Sequence, residues 1–459
     1  MFEENEFDSR SLIERFEEMI SSNSTTYFDV DELEEIVEYY TEMGMNAKAY
    51  RAIEVGNSLH PGAAGLKIRF AQVLAEDDKM EEALSELDTA EMLEPNNADL
   101  FIARASILSK QGHHNRAVKS LLEGLGKSTD PLDFFPLIAA EYQLLGKFEE
   151  AIRFYKLTLE EDPEDEMALY NMAICFDMLD MNKKAAEFFL HYIDKNPYTE
   201  IAWYYLGVVY NKMRDFDRSI WAFDYAILID EEFTAAYYEK ARTLERMERY
   251  AEAAEVYEAS FGFDDPTGYS YYRLGNCYRH LGNFNKAYKY FTLAVKEDPE
   301  LDEALLELSL LNLEQGKIFE AIHYIRKAIS LDDDNPDYMI VAIDVYRRAG
   351  LYLEAVELYK KVIQSGYQEP EIYIDYAELL LDMDEVSESF RVFEEGLRQH
   401  PDADELHAIY AGYLLSTGDL DLGMSELRAA RALNEDIGKQ FYEFFPHLKN
   451  EPGIKSTLG

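Results

Sequence analysis

The chain has 459 residues, 47% of them apolar and 14% aromatic, which is enough to bury a continuous core and excludes general disorder. Its 91 acidic against 44 basic residues leave a formal net charge of -47, a field that repels phosphate backbones and anionic membranes alike. Nucleic acid is therefore not an expected partner, and membrane insertion is not expected because no stretch approaches the roughly 18 uninterrupted apolar residues of a spanning helix. The first ten residues carry several acids and no basic segment ahead of an apolar core, so they do not resemble a secretory signal. Cys175 and Cys277 lie far apart, each within a predicted helix, which fits buried thiols in a reducing cytoplasm.

In chain order the first element is a short amphipathic helix. Leu12, Ile13, Phe16, Met19 and Ile20 recur at helical spacing behind a capping candidate at Asp8 or Ser9, and the linker Ser21 to Tyr27 follows. From residue 30 the sequence repeats every 34 residues, with a signature position at 33, 67, 101, 135, 169, 203, 237, 271, 305, 339, 373 and 407 and no insertion. Sixteen residues after each stands a small side chain: Ala49, Ala83, Ala117, Ala151, Ala185, Ser219, Ala253, Ala287, Ala321, Ala355, Ser389 and Gly423. With small residues at roughly one position in five, twelve in a row by accident is on the order of one in a hundred million. A second small position follows each signature by four residues, and Val37 and Ile343 are its departures, which predicts looser packing in the first and tenth repeats. Proline closes six repeats, at Pro61, Pro95, Pro163, Pro197, Pro299 and Pro401, where its missing amide proton ends a helix.

Two repeats carry the pattern most fully. One reads Tyr271, Leu274, Gly275, Tyr278, then Ala287, Phe291, Ala294 and Pro299; its predecessor reads Trp203, Leu206, Gly207, Tyr210, then Ser219, Phe223 and Ala226. This spacing resembles the tetratricopeptide repeat, W-x2-L-G-x2-Y followed by A-x3-F and P. The resemblance covers about residues 30 to 437. It implies an all-α fold, a right-handed alpha-alpha superhelix of twelve helix-turn-helix units, with capping elements at residues 1–29 and 438–459 because each unit buries its apolar face only against its neighbours. At the C-terminal end Phe441 and Phe444 fall in phase, but the bulky Phe445 takes the next small position and Pro446 stops the helix. One capping helix and a short tail, Lys449 to Gly459, are expected there.

In proteins of this kind the first helices of successive units line a groove that holds peptides or extended protein segments. Counting each repeat from residue 30 in steps of 34, the lining positions are two, five, nine and twelve, opposite the core. Position five reads Tyr170, Tyr204, Tyr238 and Tyr272 in four consecutive repeats, and Asn211, Arg242, Asn276 and Arg279 stand at positions nine and twelve, with Arg246, Arg273 and Arg347 close by. Asp31, Glu34 and Glu38 line the groove near one end and Glu371, Glu378 and Glu405 near the other. Rigid rings and guanidinium groups make repeats five to nine the candidate site for an extended partner of acidic or carboxylate character. The alternative reading is that these arginines pair internally.

The resemblance also implies what is missing. Position five never holds the lysine of the chaperone-tail carboxylate clamp, and Asn276 and Arg273 match only single clamp positions. The asparagine ladder of sugar-transferring relatives is reduced to Asn171. Gly126-Lys127-Ser128 lacks the earlier glycine of a phosphate loop, Leu121 standing in its place, and reads as a helix terminus. His113 and His114 are adjacent in a predicted turn without a third ligand, and the acids Glu160, Glu161 and Asp162 sit on outer faces. No catalytic residue, metal or cofactor is expected. The chain reads as a non-enzymatic cytoplasmic scaffold or adaptor, with self-association as a homodimer, or service as a regulatory subunit of an enzyme, as the alternatives.

Overall fold

A computed structural model describes residues 2–22, 24–367 and 369–458, the side chains of residues 2–10 and 452 excepted. No strand occurs among the described residues. Helix α1 (Phe2–Ser22) is followed by twelve helical hairpins, the first pairing α2 (Val30–Glu42) with α3 (Asn46–Leu59) and the last ending at Leu433. The chain divides into two compact units, Met1–Thr243 and Leu244–Gly459, and each is an all-α stack of such hairpins.

The small side chains sixteen residues after each signature position are all buried, which is why they are small: the second helix crosses the first there. At Gly207 an added Cβ would lie 2.5 Å from the Phe223 ring, and at Gly275 it would lie 2.6 Å from Phe291. Ser219 fits by donating its hydroxyl to the Gly207 carbonyl at 2.8 Å. Val37 and Ile343 are themselves buried, so the core of their hairpins admits the larger side chains. Both cysteines are buried and free, and burial pushes their thiols up to about 11 at Cys175 and about 12 at Cys277, values that leave them protonated and inert.

Every hairpin turn has the same backbone device. The residue at position fifteen has a positive φ in all twelve repeats: glycine at 44, 112, 146, 282, 316, 350 and 418, but Asp78, Asp180, Arg214, Glu248 and Asp384 elsewhere. Side chains with a Cβ are strained in that region, Arg and Glu more than Asp, whose short polar group bonds locally.

Several boundaries differ from expectation. Helix α1 already runs from Phe2, so Asp8 and Ser9 stand inside it, and Ile20 faces solvent while Leu12, Phe16 and Met19 are buried. Asp29 forms a capping box: its carboxylate accepts from the Glu32 amide at 2.9 Å while Glu32 reaches back to the Asp29 amide at 3.0 Å. The first helix of repeat four begins late, at Phe135, because Pro136 is tolerated only in a first turn. At the other end a helix covers Ile437–Phe444, and the residues after it are ordered as a 3-10 turn, Pro446–Asn450, and a further helix, Pro452–Leu458. Leu448, Ile454 and Leu458 are buried, so the tail closes the exposed end of the last hairpin.

Candidate functional site

The candidate residues of the N-terminal compact unit sit on the first helices of repeats five to seven, α10 (Glu166–Met178), α12 (Glu200–Lys212) and α14 (Thr234–Arg246), the last of which contains the division between the units. At positions two, five and nine of α10, Met167 is 66% exposed, Tyr170 is 47% exposed and Ile174 is half-buried. On α12 the same stripe is Ile201, Tyr204 and Val208, all half-buried. The Tyr204 ring lies edge-on to Phe233 at 5.3 Å and to Tyr205 at 5.2 Å, and burial pushes its hydroxyl pKa up. Tyr238 is half-buried on α14. Asn211 does not belong to this accessible stripe. It is only 7% exposed, and its amide donates to the Thr243 hydroxyl. Arg242 donates to Glu239 at 2.6 Å on its own helix.

In the C-terminal compact unit charge pairs take up positions six and twelve of the first helices. Tyr272, on α16 (Gly268–His280), packs 6.0 Å from both Tyr269 and Phe291 and shares its helix with the half-buried Asn276. Arg273 donates through Nε at 3.2 Å and Nη2 at 2.7 Å to the two oxygens of Glu245, which also accepts from the Tyr257 hydroxyl at 2.7 Å. Burial opposes the charge of Arg273, but the bonds and charge of Glu245 outweigh it and hold the guanidinium above its ordinary value. Arg279 pairs with Glu307 and stands 3.6 Å from Glu314, both on α18 (Asp302–Glu314). Arg347 lies 3.8 Å from Asp375 on α22 (Pro370–Asp382) and donates to the Tyr359 hydroxyl at 3.5 Å. Arg246 is exposed at the C-terminal end of α14.

These pairs obey one rule that sequence reading missed. Glu245 with Arg273, Arg279 with Glu307 and Arg347 with Asp375 each join position twelve of one repeat to position six of the next, where adjacent first helices meet. Opposite charges separated by 28 residues were the available signal. Further along, burial raises the carboxyls of Asp375 and Glu378, and Tyr413 donates its hydroxyl to Glu378 at 3.0 Å.

The other sequence candidates are structural. Gly126 caps the helix His114–Leu125. His114 Nδ1 lies 2.9 Å from Glu141, and no group of three or more residues able to hold a metal occurs among the described residues. No helix of the described residues is long and apolar enough to cross a membrane.

What the fold and this face define is an all-α repeat protein with an accessible first-helix stripe. Tetratricopeptide repeat profiles match residues 206–265, 268–301 and 306–370, and hairpins in the same 34-residue register continue on both sides. Those three segments are tetratricopeptide repeats. No curated protein matches the chain significantly. Among solved structures it is similar to YrrB, described as a TPR protein with an unusual peptide-binding site (21% identity, 44% of this chain and 99% of that one, TM-score 0.37). It is also similar to the Cut9–Hcn1 hetero-tetramer of the APC/C (13%, 94% and 89%, TM-score 0.36) and to yeast Tom70 (15%, 92% and 97%, TM-score 0.35). At these scores none of the three bears on what this chain binds.

Proposed function

We propose that the chain is a non-enzymatic scaffold that holds an extended partner segment on its first-helix face, with repeats five to seven as the anchoring stretch. The observation that carries this reading is an apolar stripe, with Met167 and Tyr170 exposed and Ile174 half-buried, continued at the same positions by the half-buried Ile201, Tyr204 and Val208, in a chain of net charge -47. Rings offer large contact area at low entropic cost, and the flexible thioether of methionine adapts to an irregular partner surface. The partner expected from the sequence was acidic; Arg242, Arg273, Arg279 and Arg347 already face carboxylates, so the anchors of the partner are apolar or aromatic side chains, and acids play a lesser part.

The test is site-specific photo-crosslinking in the cell of origin. A crosslinker at position 170 is expected to trap a discrete partner, whereas one at Met92, 85% exposed on a second helix, is not. The purified partner should then bind Met167→Ala/Tyr170→Ala about 30-fold more weakly, the equivalent of about 2 kcal/mol for a hot-spot pair. Equal trapping at both positions, or unchanged affinity of the double variant, would remove the reading.

A further inference from the structure

The ring at the signature position does more than fill the core. In repeat six Trp203 donates its indole N–H to the carbonyl of Pro197, the proline that closes repeat five, at 3.0 Å. In repeat twelve the residue is His407, on α24 (Asp404–Thr417), and its Nε2 lies 3.1 Å from the carbonyl of Pro401, the proline that closes repeat eleven. One joint is thus built twice, once with a ring that cannot titrate and once with one that can.

The two rings differ at their other edge. Indole has one nitrogen; imidazole has a second, and Nδ1 of His407 stands 2.6 Å from a carboxylate oxygen of Glu426, on α25 (Leu420–Leu433). Both atoms that face the ring, a carbonyl and a carboxylate, are acceptors. A neutral imidazole has one N–H and one lone pair, so in either tautomer one nitrogen turns a lone pair toward an oxygen. Only the imidazolium donates to both. The side chains of His407 and Glu426 are 12% and 19% exposed, which leaves little room for water to replace a lost bond.

The charged groups around the ring act in the same direction. Glu426 faces it from α25, and Asp404, held by the Asn434 amide at 2.6 Å, adds negative charge from its own helix. From α23 (Val386–Gln399), Glu394 approaches the Tyr410 hydroxyl at 3.5 Å, one turn further along α24.

We propose that the joint between repeats eleven and twelve is a proton-dependent latch, in which protonated His407 fastens α24 at once to the closing turn of repeat eleven and to α25, and deprotonation releases one of the two bonds. The hydrogen bond that Glu426 accepts raises the pKa of His407 against the opposing effect of burial. A raised histidine contributes stability that is complete below its unfolded value of about 6.5 and is lost as pH rises through the folded value. The latch therefore holds in mild acid and loosens toward neutral and alkaline pH. Repeats are stabilised by their neighbours alone, so the effect falls on repeat twelve and on the terminal helices that rest on it, not on repeats far upstream.

Hydrogen exchange of the full chain between pH 5.5 and 8.5, corrected for intrinsic rates, tests this beside the NMR titration of the His407 ring. Protection of residues 404–433 is expected to fall several-fold in step with that titration, while residues 268–297 keep theirs. His407→Trp, which installs the ring of repeat six, should retain protection and abolish its pH dependence, and Glu426→Gln should move the transition to lower pH. Uniform protection of the native chain across the range, or the same fall surviving in His407→Trp, would overturn the latch.

Discussion

The two compact units use different positions of their first helices for different ends. In the N-terminal unit, positions two, five and nine of repeats five and six hold Met167, Tyr170, Ile174, Ile201, Tyr204 and Val208, of which Met167 and Tyr170 are exposed and the rest half-buried. In the C-terminal unit, positions six and twelve hold Arg273, Arg279, Arg347 and the acids that match them, and the charges are satisfied between neighbouring repeats. Charged residues on a groove are thus not by themselves a docking surface. An arginine that already has a bidentate, half-buried carboxylate would have to give it up to bind a partner, and a replacement bond gains little.

The comparison can be broken first at the core, where the units are built alike. Phe223 and Phe291 are both fully buried, each against the glycine of its first helix. Phe223→Ala and Phe291→Ala should each lower the local opening free energy of the host repeat by about 3–5 kcal/mol, read by hydrogen exchange because a repeat array does not unfold in a single step. A much smaller cost in one of them would mean that the two cores differ.

The next effect sharpens the contrast between the faces. Arg273→Met removes the guanidinium from Glu245, 12% exposed, and should cost about 1.5–3 kcal/mol in repeats seven and eight. Arg242→Met removes a more exposed pair within one helix and should cost about 0.2–0.5 kcal/mol. Equal costs would show that the inter-repeat ladder adds nothing.

A gain of stability is expected at the turns. Arg214, φ 60°, and Glu248, φ 59°, hold the left-handed position that most repeats give to glycine. Arg214→Gly and Glu248→Gly should each raise the local stability by up to about 1 kcal/mol, the relief of strain being partly offset by a more flexible unfolded chain. A loss at either turn would mean that its side chain makes contacts worth more than the strain.

The smallest effect concerns pH. Burial raises the carboxyl of Asp375 despite the nearby Arg347, so protonation favours the folded form and the C-terminal unit gains stability as pH falls through that raised value. Asp375→Asn should be neutral or slightly stabilising at pH 7 and should flatten the acid side of the stability profile, measured by thermal melts from pH 4 to 7. Destabilisation at pH 7 would show that attraction to Arg347 outweighs burial.

Much of this architecture was legible because it rests on local rules that recur. Twelve small residues at one phase, such as Ala287 and Ser219, report a helix crossing that admits nothing larger, and the stripe of Tyr170 and Tyr204 follows from helical periodicity alone. The reading was weaker wherever the outcome depended on which group lies opposite. Asn211 and Arg242 have the composition of an interface, yet one is buried against Thr243 and the other is tied to Glu239. The tail from Lys449 carries no strong periodicity, and it is ordered because the last hairpin leaves a face for Ile454 and Leu458 to cover.

By itself the sequence determined the repeat length, the number of hairpins and the face each helix turns to the core, since those depend on spacing along one chain. The tertiary structure alone decided which charges are satisfied, where the end caps close, and that His407 faces two acceptors at once, because a hydrogen bond depends on distances between groups that the chain places dozens of residues apart.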